Sequence, residues 1–124
     1  MIAVDSSSLI SYLQGQKGDD TRKVHIAFES QSLILPPVVI AEVLSDLNLS
    51  QEVVRLIMGI DVIKIRSGYW QRAGRIRGQL LGKGFKARLA DTLIAQSCID
   101  HKVPLITRDK DFRHFAKHCG LKLA

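Results

Sequence analysis

Residues 2–13 of the chain read IAVDSSSLISYL, an apolar triplet followed by an aspartate, three serines and a mixed segment. The triplet Ile2–Val4 is typical of a short buried strand, and Asp5 with the serines is typical of the start of a helix. Apolar residues then recur at positions 9, 10 and 13, which predicts a helix over Ser6–Leu13. A strand that passes at once into a helix is the unit from which α/β folds are built.

The same alternation continues along the chain. Further strands are predicted at Leu33–Leu35, Val62–Ile65 and Pro104–Thr107, with a possible edge strand at Leu121–Leu123. Helices are predicted between and after them, at Thr21–Ser30, Val38–Leu47, Gln51–Met58, Tyr69–Leu81, Ala87–His101 and Lys110–His118. Short apolar strands that alternate with helices predict a central parallel sheet of four to five strands, covered by helices on both faces in three α/β/α layers.

Size and composition indicate one domain spanning residues 1–124. The 124 residues are 46% hydrophobic, which suits one compact core. No stretch has the length of a membrane span, and the N-terminus lacks the features of a secretory signal. The only two cysteines, Cys98 and Cys119, suggest no disulfide framework. We therefore expect a cytoplasmic protein without membrane association.

Positive charge is concentrated in one part of the chain. The formal net charge is +6, and the segment from Val62 to Ala90 contains eight basic residues and no acidic one. The basic residues are Lys64, Arg66, Arg72, Arg75, Arg77, Lys83, Lys86 and Arg88. Such a segment can be an ordinary solvated helix face, but solvated helices usually mix both signs of charge. The distribution therefore favours a nucleic-acid contact surface.

Four acidic residues stand where a carboxylate is costly to desolvate. Asp5 follows the first strand and Asp109 follows the last predicted strand, so both should lie at the carboxyl edge of the sheet. Glu42 interrupts an apolar run, and Asp91 lies on a strongly helical segment that can reach the same edge. Two carboxylates roughly 4 Å apart repel by about 4 kcal/mol at an effective dielectric constant near 20. Clustered acids must therefore be protonated or bind a cation.

An all-oxygen set of ligands points to Mg²⁺ or Mn²⁺ rather than Zn²⁺. One such ion, or a pair of them, would activate a water molecule for attack on a phosphodiester. Each acid also has a structural alternative: Asp5 and Asp109 could cap helices, Glu42 could form an ion pair with an arginine, and Asp91 could pair with Arg88. Asp111 lies in the same turn as Asp109 and competes with it for the fourth position.

Four motifs in order resemble those of the PIN-domain ribonucleases. They read IAVDSS at 2–7, PPVVIAEV at 36–43, ADTLIA at 90–95 and PLITRDKDF at 104–112. In length and motif order the chain is similar to the VapC-type toxins of toxin–antitoxin pairs. Matched residue by residue, the acidic positions of the family fall on Asp5, Glu42, Asp91 and Asp109, and its supporting hydroxyls fall on Ser7 and Thr107.

The resemblance implies a single PIN-like domain that cleaves RNA with Mg²⁺, with Asp5 and Asp91 as the principal metal ligands. It also implies a homodimer and a cognate antitoxin that covers the active-site face. Basic residues would then bind the RNA backbone: Arg66, Arg72, Arg75, Arg77, Lys83, Lys86 and Arg88. Ser7 and Thr107 can donate hydrogen bonds that orient a ligating carboxylate, or they can serve as local turn and capping groups.

Two other functions remain open from the sequence. One is a PIN-type module that binds RNA or a partner without cleaving, although clustered acids are of no use to a pure binder of polyanions. The other is another Mg²⁺-dependent phosphohydrolase, such as a phosphatase with an aspartyl nucleophile, in which Ser7 stands where a second aspartate is common. A zinc site at His114, His118 and Cys119 lacks a fourth ligand.

Overall fold

A computed structural model describes all residues from 1 to 124. Four parallel strands form one sheet: β1 (Ile2–Val4), β2 (Leu33–Leu35), β3 (Asp61–Val62) and β4 (Leu105–Ile106). The helices are α1 (Ser6–Leu13), α2 (Asp19–Glu29), α3 (Pro37–Leu44), α4 (Gln51–Met58), α5 (Tyr69–Gly82), α6 (Leu89–His101) and α7 (Arg113–Cys119). The predicted three-layer α/β/α fold is confirmed.

The order of the strands in the sheet is β3-β2-β1-β4. β1 pairs with β2 on one side, with Ile2 opposite Leu33, and with β4 on the other side, with Val4 opposite Ile106. The chain thus builds the sheet in one direction from β1 to β3 and then crosses back to place β4 beside β1. In open parallel sheets, the carboxyl ends of two strands at such a reversal form the crevice in which ligands bind.

Strands β1, β2 and β4 are short and largely buried on both faces, whereas both residues of β3 are exposed. Ala3 and Val4 of β1, Leu35 of β2 and both residues of β4 are almost completely shielded from solvent. This burial explains why the strands appear in the sequence as continuous apolar runs rather than as alternating patterns. None of the helices is both long and apolar enough to cross a lipid bilayer.

Strand β3 is shorter than the sequence predicts and starts earlier. The prediction was Val62–Ile65, but the ladder with β2 ends just after Leu35, where the Ile63 N–H donates to the Leu35 carbonyl at 2.9 Å. In this parallel register the next N–H toward β3 would come from residue 37, but that residue is Pro37, which begins α3 and has no N–H to offer. Pairing beyond Ile63 is therefore lost, although Ile63 itself is buried in the core.

Two further predictions at the C-terminus are corrected. The predicted helix Lys110–His118 is divided into a 3₁₀ turn over Lys110–Phe112 and α7, because the Asp109 side chain caps a tight first turn. Residues 121–123 form no strand: Leu123 makes one isolated parallel bridge to Leu105. The sheet accordingly has four strands.

Candidate metal and catalytic site

Asp5 is held firmly at the carboxyl end of β1. It is 3% exposed, and its N–H donates to the Ile106 carbonyl of the neighbouring strand at 3.1 Å. Oδ1 accepts from the Ser8 N–H at 2.9 Å and so caps α1, while Oδ2 accepts from Ser7 Oγ at 2.9 Å and from Thr107 Oγ1 at 2.5 Å. Three donors therefore fix the orientation of this carboxylate.

The environment of Asp5 nevertheless makes its charged form less favourable than it would be in water. Burial raises the pKa of this carboxyl above 3.8, and the hydrogen bonds from Thr107, Ser8 and Ser7 only partly offset that effect. The three hydrogen bonds thus do not fully offset the burial of this carboxylate. A bound cation would stabilise its charged form.

The loop after β4 connects Asp5 with a second acidic residue. Thr107 Oγ1 donates to Asp5 and also accepts from the Asp109 N–H at 2.9 Å. Asp109 Oδ1 in turn accepts from the Asp111 N–H at 2.9 Å, which starts the 3₁₀ turn. One continuous set of hydrogen bonds therefore places both Asp109 and Asp111 next to the end of β1.

Asp91 meets these two aspartates from the first turn of α6. Carboxylate oxygens of Asp91, Asp109 and Asp111 all lie within 4.8 Å of one another. Burial, together with the negative charge of Asp109, raises the pKa of Asp91 to about 6; the charges of Glu42 and Asp111 act in the same direction, and that of Arg88 opposes them. These oxygens fit a hard divalent cation, because their number, their chemistry and their mutual repulsion all favour one.

Glu42 differs from the prediction in its burial. The prediction that Glu42 is buried at a cost in desolvation was wrong, because α3 turns Val39 and Val43 to the core and leaves Glu42 exposed. Its Oε1 accepts from Ser6 Oγ at 2.6 Å, and no arginine pairs with it. Glu42 nevertheless lies close enough to raise the pKa of Asp91.

The structural alternatives for the other acids have mixed outcomes. Asp5 caps α1 and Asp109 caps the 3₁₀ turn, so capping is present beside any role in metal binding. Asp91 forms no ion pair with Arg88. Asp109 and Asp111 do not exclude each other, since both have a carboxylate oxygen in the group with Asp91.

Sequence reasoning missed a polar network beside this group. Asp20 Oδ2 accepts from Ser8 Oγ at 2.8 Å and from Arg108 Nε at 2.7 Å, and Arg108 Nη2 donates to Oδ1 at 3.2 Å. These hydrogen bonds from Arg108 hold the pKa of Asp20 below its usual range. Arg108 stands between Thr107 and Asp109, so the network ties the loop after β4 to α2. No local pattern could reveal a pair 88 positions apart.

The residues predicted to bind RNA fall into two groups. Four of them have partners within the chain. Arg72 donates two hydrogen bonds to Asp100, at 2.9 and 2.7 Å, and Arg77 donates to the Ala87 carbonyl at 2.8 Å. The Nζ atom of Lys83 lies 3.3 Å from His118 Nδ1, and that of Lys86 lies 3.4 Å from Asp111 Oδ2. The other three side chains, Arg66, Arg75 and Arg88, are free of intramolecular hydrogen bonds and ion pairs.

The alternative zinc site is not assembled. The rings of His114 and His118 stack on Phe85, with centroids 4.3 Å and 5.1 Å from that ring. Cys119 forms no ligand group with them, and the one group of potential metal ligands is that of Asp91, Asp109 and Asp111.

Solved structures with a similar fold include components of three complexes. VapBC2 from Rickettsia felis, bound to a DNA fragment from its promoter, has a TM-score of 0.75 and 17% identity, with 100% of this chain and 98% of that chain covered. FitAcB from Neisseria gonorrhoeae has a TM-score of 0.71 and 18% identity, with 99% of this chain and 96% of that chain covered. VapBC-5 from Mycobacterium tuberculosis, a member of the VapBC family of toxin-antitoxin systems, has a TM-score of 0.66 and 16% identity, with 98% and 95% covered.

At these identities the similarity concerns the fold. No curated protein matches the chain significantly in sequence. The family model described as PIN domain, by contrast, matches residues 2–118, which include every strand and all the acidic residues discussed above. The chain belongs to the PIN domain family.

Proposed function

We propose that this protein is a metal-dependent endoribonuclease and the toxin of a toxin–antitoxin pair. The observation that carries the proposal is the meeting of Asp91, Asp109 and Asp111 within 4.8 Å, beside the firmly held Asp5, at the reversal point of the sheet. Membership of the PIN domain family supports a nuclease rather than another phosphohydrolase.

Asp5, Glu42, Asp91 and Asp109 would hold the metal ion, and Asp111 extends this set. Their all-oxygen chemistry suits Mg²⁺, with Mn²⁺ as a close substitute. When bound, such an ion would activate water for hydrolysis of a phosphodiester and stabilise the leaving oxygen.

Neighbouring hydroxyl groups keep the carboxylates in position. Ser7 and Thr107 both donate to Oδ2 of Asp5, and Ser6 donates to Oε1 of Glu42. Each hydroxyl restricts the rotation of a carboxylate, which lowers the entropic cost of bringing several ligands to one ion.

The basic segment would bind the RNA backbone. Arg66, Arg75 and Arg88 are the candidates whose guanidinium groups are free for phosphates, and Arg88 opens the helix that carries Asp91. Phosphate contacts of this kind are independent of sequence and weaken with added salt. Arg72 and Arg77 serve first to hold α5 in place, through Asp100 and the Ala87 carbonyl.

We propose a cognate antitoxin as the protein partner. The support is the fold similarity to VapBC-5, a member of a family of toxin-antitoxin systems, and to VapBC2. An inhibitory partner that covers the carboxyl edge of the sheet would block both the acidic group and the approach of RNA.

A homodimer is proposed from the surface of α5. Trp70 is 64% exposed, and Leu81, eleven positions later, is also exposed. Eleven residues make just over three helical turns, so both lie on one side of the helix. Gly74 and Gly78 lie between them with open space around them, which lets another backbone approach closely. We further propose that residues 1–124 act as one PIN-like domain in the cytoplasm, in keeping with the two free cysteines.

RNA cleavage by the purified protein tests the proposal. Cleavage should stop on chelation of divalent ions, return with Mg²⁺ or Mn²⁺, and be lost in Asp5→Asn, which keeps an oxygen to cap α1 but loses the charge. Cleavage that survives chelation, or is retained by Asp5→Asn, would contradict the proposal. RNA binding without cleavage would favour the non-cleaving PIN module instead.

A further inference from the structure

Lys86 is the one basic residue that forms an ion pair with the acidic group. Its Nζ lies 3.4 Å from Oδ2 of Asp111, whose carboxylate also lies within 4.8 Å of those of Asp91 and Asp109. The lysine belongs to the connector between α5 and α6, residues 83–88. A positive charge of the protein's own therefore stands beside the group of carboxylates expected to bind a divalent ion.

The backbone on both sides of Lys86 is anchored. Phe85 precedes it and stacks on His114, with ring centroids 4.3 Å apart and planes inclined by 19°. Ala87 follows it, is buried, and accepts a hydrogen bond from Arg77 Nε at 2.8 Å. The backbone from which Lys86 reaches the acids is therefore held by the fold, unlike that of a lysine on an unrestrained loop.

The ion pair itself is easy to break. The side chain of Lys86 is 54% exposed and that of Asp111 is 32% exposed. Ion pairs exposed to this degree contribute little to stability, because water screens the attraction and the long side chain loses freedom. A divalent ion that several carboxylates bind together can therefore take Asp111 away from Lys86.

We propose that Lys86 is a built-in competitor of the divalent ion and a metal-controlled contact for RNA. In the metal-free protein its ammonium group pairs with Asp111. When an ion occupies the acidic group, Asp111 turns to it, and repulsion between the two cations drives the ammonium group away to bind a backbone phosphate of the RNA. This inference rests on the proposed function and adds a positioning residue for the substrate.

Titration of the protein with Mn²⁺, without RNA, tests the competition by calorimetry. Lys86→Gln should bind Mn²⁺ roughly threefold to tenfold more tightly than the wild type, since the competing charge is gone. Lys86→Arg should keep the affinity of the wild type. Lys83→Gln is the matched control, because Lys83 lies on the same connector but faces His118, and its affinity should not change.

Steady-state cleavage at saturating Mn²⁺ tests the phosphate contact. The KM of Lys86→Gln for RNA should rise by roughly threefold to tenfold while kcat stays within about twofold, and Lys86→Arg should restore KM. An affinity of Lys86→Gln for Mn²⁺ that equals or falls below that of the wild type would overturn the competition. An unchanged KM would overturn the RNA contact.

The two levels of the proposal fail in different ways. If the wild type binds no divalent ion at all, the proposed function is wrong and this inference falls with it. If the wild type binds Mn²⁺ and cleaves RNA, but Lys86→Gln matches the wild type in both its affinity for Mn²⁺ and its KM for RNA, only the role of Lys86 is overturned.

Discussion

At the scale of single residues, Asp5 shows how structural and chemical roles combine. One oxygen caps α1 through the Ser8 N–H, and the other accepts from two hydroxyls. Thr107 extends this arrangement, because its hydroxyl joins Asp5 to the backbone of Asp109. Removing one such hydroxyl should disturb the orientation of the site more than it disturbs the fold.

Thr107→Val tests that expectation. The substitution keeps the shape of the side chain but removes the donor to Asp5 and the acceptor for the Asp109 N–H, so we expect RNA cleavage to fall by about 10-fold to 100-fold. The cost in unfolding free energy should be about 1–2 kcal/mol. Thr21→Val is the control, since it removes a buried hydroxyl that donates to the Gly18 carbonyl outside the acidic group. Full cleavage by Thr107→Val would contradict the orienting role.

The raised pKa of Asp91 predicts a pH dependence of stability in the metal-free protein. A carboxyl group with a pKa of about 6 when folded and 3.8 when unfolded binds its proton more tightly in the folded state. Its favourable contribution is fully present below the unfolded value and is lost as the pH rises through the folded value. We expect the stability of the wild type, relative to that of Asp91→Asn, to decrease between about pH 4 and about pH 7.

Urea unfolding in a chelator, at a series of pH values, measures this difference. The comparison with Asp91→Asn cancels the contributions of titratable groups that do not interact with Asp91. A difference that does not vary with pH would show that Asp91 carries no raised pKa.

The sequence predicts the position of a residue where the order of strands and helices determines it, and fails where side-chain packing determines it. Asp5 and Asp109 were expected at one edge because the ends of parallel strands share an edge. The burial of Glu42 was predicted wrongly, because an unbroken apolar run does not reveal which side of a short helix faces the core. Lys86 and Asp111 meet only through the packing of the connector on α7, which leaves no mark in local sequence.

At the scale of elements, the helical hairpin α1–α2 is tied to the loop that carries the acids. Asp20 accepts from both Ser8 and Arg108, and its side chain is 11% exposed. Hydrophobic periodicity predicted the two helices, but it began the second at Thr21, one residue after Asp20, whereas α2 begins at Asp19. The length of β3 was likewise beyond local prediction, since it is limited by Pro37, which follows the neighbouring strand β2 and has no N–H to donate.

Asp20→Asn measures the strength of this tie. The variant loses the charge that Arg108 and Ser8 contact, and we expect the unfolding free energy to fall by about 1–2 kcal/mol. The lowered pKa of Asp20 means that this contribution is present near neutral pH and is lost as the pH falls below about 4. Asp19→Asn is the control, because Asp19 is on the same helix but almost fully exposed. Equal stability of the two variants would contradict the tie.

At the scale of the whole molecule, acidic and basic residues have different proposed tasks: the acidic residues bind metal and the basic residues bind RNA. The acidic group lies at the reversal point of the sheet. The basic segment contains α5 and the connector that leads from it to α6. The net positive charge would attract RNA. The metal ion would neutralise the acidic residues, which would otherwise repel the phosphates of the RNA. This separation was visible in the sequence as a segment of 29 residues without a single acid.

The exposed face of α5 predicts the oligomeric state. Trp70→Glu places a charge in the proposed contact between two copies, so we expect the protein to change from a dimer to a monomer in light scattering. Ile26→Glu serves as the control, since Ile26 is exposed to a similar extent but lies on α2. A dimer that survives Trp70→Glu, or a wild-type monomer, would contradict the α5 interface.

Cleavage of RNA with mapped ends, with and without Mg²⁺, tests the central claim most directly. The wild type should cut at discrete sites only when Mg²⁺ is present, and Asp91→Asn should lower the rate by more than about a hundredfold. Asp61→Asn, an exposed aspartate at the start of β3 and thus at the opposite edge of the sheet, should cut like the wild type. Cleavage by Asp91→Asn at the rate of the wild type, or no cleavage of any RNA by the wild type with Mg²⁺, would contradict the account.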